Sequence, residues 1–226
     1  MKHTKKLILF PCLLISAVTS LLADTVSERL QESAVVLKEI LSAPDQSILG
    51  DLLDASHCLV VVPGMKTAAF VVGGKYGRGF VVCRHASRPG WGAPAAIRIE
   101  GGSFGFQIGA SETDVVMLVM NQRGMDRLLQ SKFTLGGAAE VAGGPVGRGS
   151  TAQTDAKLTA KILSYSRSRG VFAGISLQGA TLRQDADENH DLYGQQITNK
   201  QIVMQKTAIP SAAWELIAVL NLHSPR

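Results

Sequence analysis

Basic residues gather in one part of the chain, beside stretches rich in glycine and serine. Residues 147–170 carry five of them, and the glycine-rich segment "GGKYGRG" carries two more. Arginine side chains, glycine N–H groups and serine hydroxyls are the groups from which proteins build sites for anionic headgroups. The alternative is that these charges only solvate strand edges and discourage edge pairing. The candidate headgroup site comprises Lys75, Arg78, Arg148, Lys161, Arg167 and Arg169.

The segment "GGPVGRG", residues 143–149, holds four glycines, one proline and one arginine. Backbone N–H groups of such a stretch are able to cradle a phosphate. Glycine next to proline is equally typical of a sharp turn between two strands. We interpret the segment first as a tight connection that directs Arg148 outward, and keep phosphate contact as the second hypothesis.

The sequence lacks the residue patterns of an active site or a metal site. Its histidines after residue 23 are His57, His85, His190 and His223, and none has a metal-binding spacing. A Gly-x-Ser-x-Gly match at Gly101 to Gly105 lies within a strand-like run and not at a strand-to-helix turn, so it does not predict a nucleophile elbow. The acidic segment "DADENHD", residues 185–191, lacks the ligand spacing of a calcium loop, so we interpret it as a solvated loop or helical turn. We therefore expect a protein that is not an enzyme and uses no cofactor or metal.

The first 23 residues differ from the rest of the chain. Three lysines precede an apolar run, and the segment ends on the small residue Ala23. This order is typical of a secretory signal peptide, with cleavage before Asp24. A retained membrane anchor would need about 20 apolar residues. Removal of residues 1–23 takes three lysines from a chain of net charge +5 and leaves +2. That small charge, with only 5% aromatic residues, argues against a nucleic-acid partner.

Two cysteines, Cys58 and Cys83, remain after the predicted signal peptide. Both lie in apolar, β-rich runs, where free cysteine behaves as a small hydrophobic residue. Export would permit a disulfide between them. Buried thiols and a disulfide therefore both remain open at this point.

Helical patterns occupy the two ends of the predicted domain. Apolar residues recur at helical spacing over residues 26–41, and Thr25 with Glu28 forms a capping-box pattern before them. Pro44 is expected to end this helix, and a second short helix is expected over residues 47–55. The segment "IPSAAWELIAVLNLH", with Pro210 in its first turn, predicts a closing helix.

Between these helices the sequence changes to short runs of β-branched and aromatic residues, separated by glycine and proline. The segment "GGKYGRG", Gly73 to Gly79, is predicted to be the turn that joins two of these strands. A short helix is expected at "QRGMDRLLQSK". No linker interrupts residues 24–226, so we predict a single α+β domain. Its sheet is expected to be mainly antiparallel and strongly bent or barrel-like, because glycines within strands allow tight bends.

Five segments, in this order and spacing, resemble the SYLF domain family, which is also described as a family of actin regulators. Together with the leading helix they extend over nearly all of residues 24–226. The segments are "AAFVVGGKYGRGFVVCR", "GWGAPAAIRIEGGSFGFQIGASETDVVMLVMN", "TLGGAAEVAGGPVGR", "ILSYSRSRGVFAGISLQGATL" and "DLYG".

The resemblance implies a non-enzymatic lipid-binding module for anionic phospholipid or phosphoinositide headgroups, with the N-terminal helix at the membrane. In this chain residues 24–41 carry four acids and two bases. Because helices that bind anionic membranes have a basic polar face, packing of this helix on the domain is an equal alternative. We expect an exported bacterial member of the family, periplasmic or secreted. The other functions considered are an envelope protein that binds a protein partner, and an actin-binding regulator if the protein reaches a eukaryotic cytosol.

Overall fold

The fold is described from a computed structural model, which covers residues 24–42, 47–70, 72–85, 89–104, 109–136, 140–145, 160–168, 171–205 and 207–225. The predicted signal peptide, Pro44, Arg148 and Arg169 lie outside these residues. Within the described ranges the α-helices are α1 Val26–Ser42, α2 Ser47–Ala55, α3 Gln122–Leu128, α4 Ala186–Tyr193, α5 Asn199–Met204 and α6 Trp214–His223.

Helix α1 begins as the sequence predicts. The Thr25 hydroxyl accepts a hydrogen bond from the Glu28 backbone N–H at 3.2 Å, and the Thr25 N–H donates to the Glu28 carboxylate at 2.7 Å. These two bonds satisfy backbone donors that have no partner inside the helix, so the predicted capping box is confirmed. The predicted second helix over residues 47–55 is also confirmed.

One curled sheet of nine strands forms the centre of the described structure, in the order β5-β9-β3-β2-β1-β4-β7-β6, with β8 paired to β7. Only the β6–β7 pair is parallel among the described strands, so the predicted mainly antiparallel sheet is confirmed. The strands are β1 Cys58–Phe70, β2 Val72–Cys83, β3 Ala95–Phe104, β4 Gly109–Val119, β5 Lys132–Thr134, β6 Val141–Gly143, β7 Ile162–Ser168, β8 Val171–Gly174 and β9 Thr181–Gln184.

The sheet has an apolar core on each face. Phe133 of β5 and Val141 of β6, from opposite ends of the sheet, share one core with Met125 of α3 and Ile202 of α5. A sheet whose two ends meet in one core must curl around it, which gives the half-barrel shape. The other core lies beneath α1, α2 and α6 and is built from side chains such as Leu30, Leu37, Phe80, Leu118, Leu216 and Leu220.

The glycine-rich segment does not form the turn that the sequence predicted. Gly73 to Gly79 lies inside β2, which begins at Val72, two positions after β1 ends at Phe70. The physical reason is close approach of the two strands. A Cβ atom on Gly79 would overlap the Val61 carbonyl oxygen of β1 and lie 2.8 Å from the Val62 Cα. This contact coincides with an irregularity in β1 between Val61 and Lys66, where the pairing register shifts.

A packing reason also accounts for the described part of "GGPVGRG". A Cβ atom on Gly144 would overlap the ring of Tyr165, a fully buried residue of β7. The Gly144 N–H donates to the Ser164 carbonyl at 2.9 Å. Gly144 is therefore required for packing against β7. The turn and phosphate hypotheses for Arg148 stay predictions, because residues 146–150 lie outside the described ranges.

The C-terminal third departs from the sequence prediction in two places. The segment "VFAGISLQGATLR" contributes β8 and β9 to the sheet. The acidic segment predicted as a solvated loop or helical turn forms the eight-residue helix α4, capped by the buried Asp185 carboxylate, which accepts from the Glu188 N–H at 3.4 Å. Helix α5 was not predicted, and a capping box of Thr198 and Gln201 starts it. The predicted helices α3 and α6 are confirmed.

A disulfide joins Cys58 and Cys83 across β1 and β2. The two residues are direct cross-strand partners, and both are buried. Of the two alternatives that the sequence left open, buried thiols and a disulfide, the structure therefore contains the disulfide.

Candidate functional site

The four described candidate headgroup residues do not converge on one surface. Lys75 and Arg78 are three positions apart on β2, so they project from opposite faces of the sheet. Lys75 lies beside Gly101 and Ala180, whereas Arg78 lies on the face that α1 covers. Arg167 lies on β7 and Lys161 just before it. The four described members thus occupy separate places.

Arg78 belongs to a buried ion-pair network that holds α4 and α1. Its Nε donates to the Asp185 carboxylate at 2.8 Å, and its Nη1 lies 3.2 Å from Glu188. Glu188 also pairs with Arg29 of α1, and Arg29 donates to the Asp24 carbonyl at 2.9 Å. The hydrogen bond to Asp185 raises the pKa of Arg78. The two acids of the network are buried, so Arg78 balances charge inside the fold.

Arg167 has a comparable structural position at the other end of α1. Its guanidinium lies 2.7 Å from the Asp114 carboxylate of β4 and also contacts Glu39 of α1. Asp114 in turn accepts a hydrogen bond from the Gly64 N–H at 2.9 Å. Arg167 therefore joins β7, β4 and the last turns of α1.

Lys161 is also paired with an acid. Its Nζ lies 3.3 Å from the Glu140 carboxylate, which also contacts Arg127 of α3. Burial opposes ionisation of Glu140, but the Lys161 hydrogen bond and the two cations outweigh it and lower the pKa of Glu140. Lys161 thus fixes the chain before β7.

Together these pairs place α1 across the strands. The helix runs from Arg29, which is linked through Glu188 to Arg78 of β2, to Glu39, which contacts Arg167 of β7. Ten helical residues span about 15 Å at 1.5 Å each. The three strand spacings from β2 to β7 amount to about 14 Å. The match allows one arginine contact to form near each end of the helix.

A cleft of about 450 Å³ lies between α1 and the irregular part of β1. Its charged lining is acidic apart from Arg167. Burial, followed by the charge of Asp24, raises the pKa of Glu32, and burial is also the main cause that raises the pKa of Asp114. An anionic headgroup would be repelled here. The acidic residues of this cleft are Glu28, Glu32, Glu112 and Asp114.

The raised pKa of Glu32 gives a testable pH dependence. A carboxyl whose folded-state pKa exceeds its unfolded value costs stability as pH rises through that pKa, and costs nothing well below 4.5. We expect Glu32→Gln to stabilise the fold at pH 7 by less than about 0.5 kcal/mol, since the side chain is largely in solvent. Urea unfolding should show this gain vanish at pH 3. Gln31→Glu, in the same cleft, should have the opposite sign; a pH-independent gain would contradict the assignment.

Two general features bear on the class of site. Within the described ranges, no three acidic, histidine or cysteine side chains are grouped closely enough to hold a metal ion. Across the same residues, none of the helices has the length and apolar character needed to cross a bilayer.

Sequence reasoning missed the role of the acidic segment. Asp185 and Glu188 are buried partners of two arginines, and Asn189 bridges α4 to β3 by accepting from the Ala96 N–H at 2.8 Å. The Asp-x-x-Glu spacing at Asp185 is an N-cap pattern, and this pattern could have indicated the helix. Nothing local in the sequence shows which distant arginines neutralise it.

Comparison with known proteins gives a consistent result. The family described as "Ysc84: Las17-binding protein actin regulator" matches residues 100–223. The chain is 32% identical over 197 residues to SH3 domain-containing YSC84-like protein 1 of Homo sapiens, covering 84% of this chain and 57% of that protein. It is 31% identical over 180 residues to protein YSC84 of Saccharomyces cerevisiae, covering 78% of this chain and 38% of that protein. The chain thus spans well under two thirds of these relatives.

Proposed function

The chain belongs to the Ysc84 family of Las17-binding actin regulators, also called the SYLF domain family, and from this premise we propose that it is a non-enzymatic module that docks a protein partner. The family is described by the protein that its members bind, Las17, and by a regulatory role on actin. A protein partner of this kind is therefore the first ligand to test.

The packing of α1 is the observation that supports this proposal. The helix packs against the domain, with Leu30, Leu37 and Ile40 almost fully buried. Each such side chain contributes about 1.5–3 kcal/mol when it leaves water, so releasing the helix into a membrane would first cost that packing. Its outward side carries acids such as Glu28 and Glu32. A closed helix with an acidic outer side suits contact with a protein better than insertion among anionic lipids.

Anionic phospholipid is the second candidate, and Lys75 is the observation that favours it. Among the described residues no acid lies within ion-pair distance of Lys75, in contrast to Arg78, Lys161 and Arg167. A cation without a neighbouring acid keeps its attraction for an anionic surface, worth about 1 kcal/mol each. The lipid hypothesis thus rests on Lys75, with Arg148 and Arg169.

Sedimentation distinguishes the two candidates. We expect residues 24–226 to pellet with actin filaments, with half-saturation on the order of 10 µM for a regulatory contact, and not with phosphatidylcholine vesicles containing phosphatidylserine. Serum albumin at equal concentration measures trapping in the pellet. Pelleting with the anionic vesicles alone, lost in Lys75→Gln, would replace the protein function with the lipid one. Pelleting with neither would contradict both the actin contact and the lipid contact.

The location of the protein in the cell is a separate proposal. We propose that residues 1–23 are removed and that the protein is exported, on the basis of the basic start, the apolar run and the small residue before Asp24. An exported protein meets actin only where it reaches a eukaryotic cytosol. Intact mass spectrometry of the protein from its own cells tests this. A mass that includes residues 1–23 would contradict it.

A further inference from the structure

A row of cations crosses four strands on the outer face of the sheet. Lys132 of β5 is the direct partner of Arg183 on β9, Arg183 is the partner of Arg98 on β3, and Arg98 is the partner of Arg78 on β2. Direct cross-strand partners project from the same face, so all four side chains lie side by side. The three strand steps make the row about 14 Å long. The spacing of these residues along the chain does not predict that they form a row.

Like charges directly opposite one another destabilise a sheet, so the row needs compensation. Arg78 is neutralised by Asp185 and Glu188. Arg98 and Arg183 share a single carboxylate, that of Glu100, at 2.7 and 2.9 Å.

Lys132 is exposed and has no acidic partner among the described residues. Apart from Arg78, the row comprises Lys132, Arg183 and Arg98. Together with Glu100, these three side chains carry a net charge of +2 at neutral pH.

The guanidinium groups of the row have donors that the fold does not use. Arg98 and Arg183 are each about one third exposed. Both arginines approach Glu100 through Nε, which in Arg98 is buried, so the Nη groups are the donors left for an external partner. An arginine fork of this kind binds an external carboxylate through two parallel hydrogen bonds. Tyr76, the cross-strand partner of Glu100, is 48% exposed beside the row. Arginine with exposed tyrosine is typical of protein-binding surfaces.

We propose that the outer face of β3, β9 and β5 binds an acidic segment of a protein partner, with Arg98, Arg183 and Lys132 as the contacts. Carboxylates on alternate residues of an extended segment repeat about every 6.7 Å, so two of them fit within the roughly 10 Å that the two strand steps from Lys132 to Arg98 span. A flat anionic bilayer would press against Glu100 as well as the cations, whereas an extended segment is able to place carboxylates beside the cations and a small residue beside Glu100, which favours a protein over a membrane. This inference rests on the proposed protein-docking function and names the docking surface.

The test uses a fluorescein-labelled peptide of alternating glutamate and alanine and measures its anisotropy with residues 24–226. We expect Arg98→Gln/Arg183→Gln to weaken binding about tenfold. The matched control Lys38→Gln/Arg123→Gln removes the same charge from exposed positions on α1 and α3 and should stay within about twofold. Lys132→Glu, at an exposed position of β5, reverses a charge without disturbing packing and should weaken binding as well. Circular dichroism confirms that each variant is folded.

Three outcomes would overturn the inference. The first is equal weakening of peptide binding by the two double substitutions, and the second is absence of peptide binding by the natural sequence. The third is loss of phosphatidylserine-vesicle binding in Arg98→Gln/Arg183→Gln, which would assign the face to a membrane.

Actin-filament sedimentation of the same variants tests the proposed function separately from the docking surface. If Arg98→Gln/Arg183→Gln still binds filaments, the row is rejected as the docking surface and the proposed function is retained. If the peptide binds through the row but filaments do not bind, actin is rejected as the partner and the row is retained.

Discussion

Replacing Arg29 with alanine is expected to lower the free energy of unfolding by about 3 kcal/mol, because it leaves a buried carboxylate without its nearest cation. The Glu188 side chain is 4% exposed, and its Oε2 has no hydrogen-bond partner among the described residues. Arg78 alone would then balance both Glu188 and Asp185. Urea unfolding followed by circular dichroism at neutral pH measures the loss.

Two further variants test whether the loss of stability is specific to the buried Arg29–Glu188 pair or follows the loss of any ion pair. Glu39→Gln removes the contact of α1 with Arg167, but Glu39 is 58% exposed, so we expect a loss below about 1 kcal/mol. Arg29→Met with Glu188→Leu replaces both buried charges with apolar side chains and should recover most of the stability. Equal losses for Arg29→Ala and Glu39→Gln would show that the network does not hold the helix.

Replacing Gly79 with alanine should cost about 3 kcal/mol, the upper end of what overpacking a core costs. The added methyl group would overlap the carbonyl oxygen of Val61 and lie 2.8 Å from the Cα of Val62. Both are backbone atoms of a central strand, so they cannot rotate away as a side chain would. We expect the midpoint of urea unfolding to fall without a change in slope.

Gly50→Ala is the matched control for this substitution. Gly50 lies within α2, and a Cβ atom there would meet nothing within 4 Å. Alanine is favoured over glycine inside a helix, so we expect a gain of about 0.5–1 kcal/mol. A Gly79→Ala variant as stable as the natural sequence would mean that β1 and β2 lie further apart than described.

Local sequence patterns were sufficient for elements whose start or periodicity depends on neighbouring residues. The capping box at Thr25 and Glu28, the apolar spacing of α1 and the β-branched runs of β1 and β4 all act within a few residues. The order of five family segments likewise identified the family without any structure. Local patterns failed at Gly73 to Gly79, because glycine marks both a turn and a place where another strand comes close.

The sequence by itself determined the α+β class, the helices at both ends, the strongly bent sheet and the family. Tertiary structure alone decided the charge arrangement. It paired Arg78 with Asp185 across 107 positions and Arg167 with Asp114 across 53, and it aligned Lys132, Arg183 and Arg98 in one row. The reason is that helix caps and strand periodicity depend on near neighbours, whereas charge neutralisation depends on which strands are adjacent. Strand order and register, and therefore the candidate binding face, exist only in the folded chain.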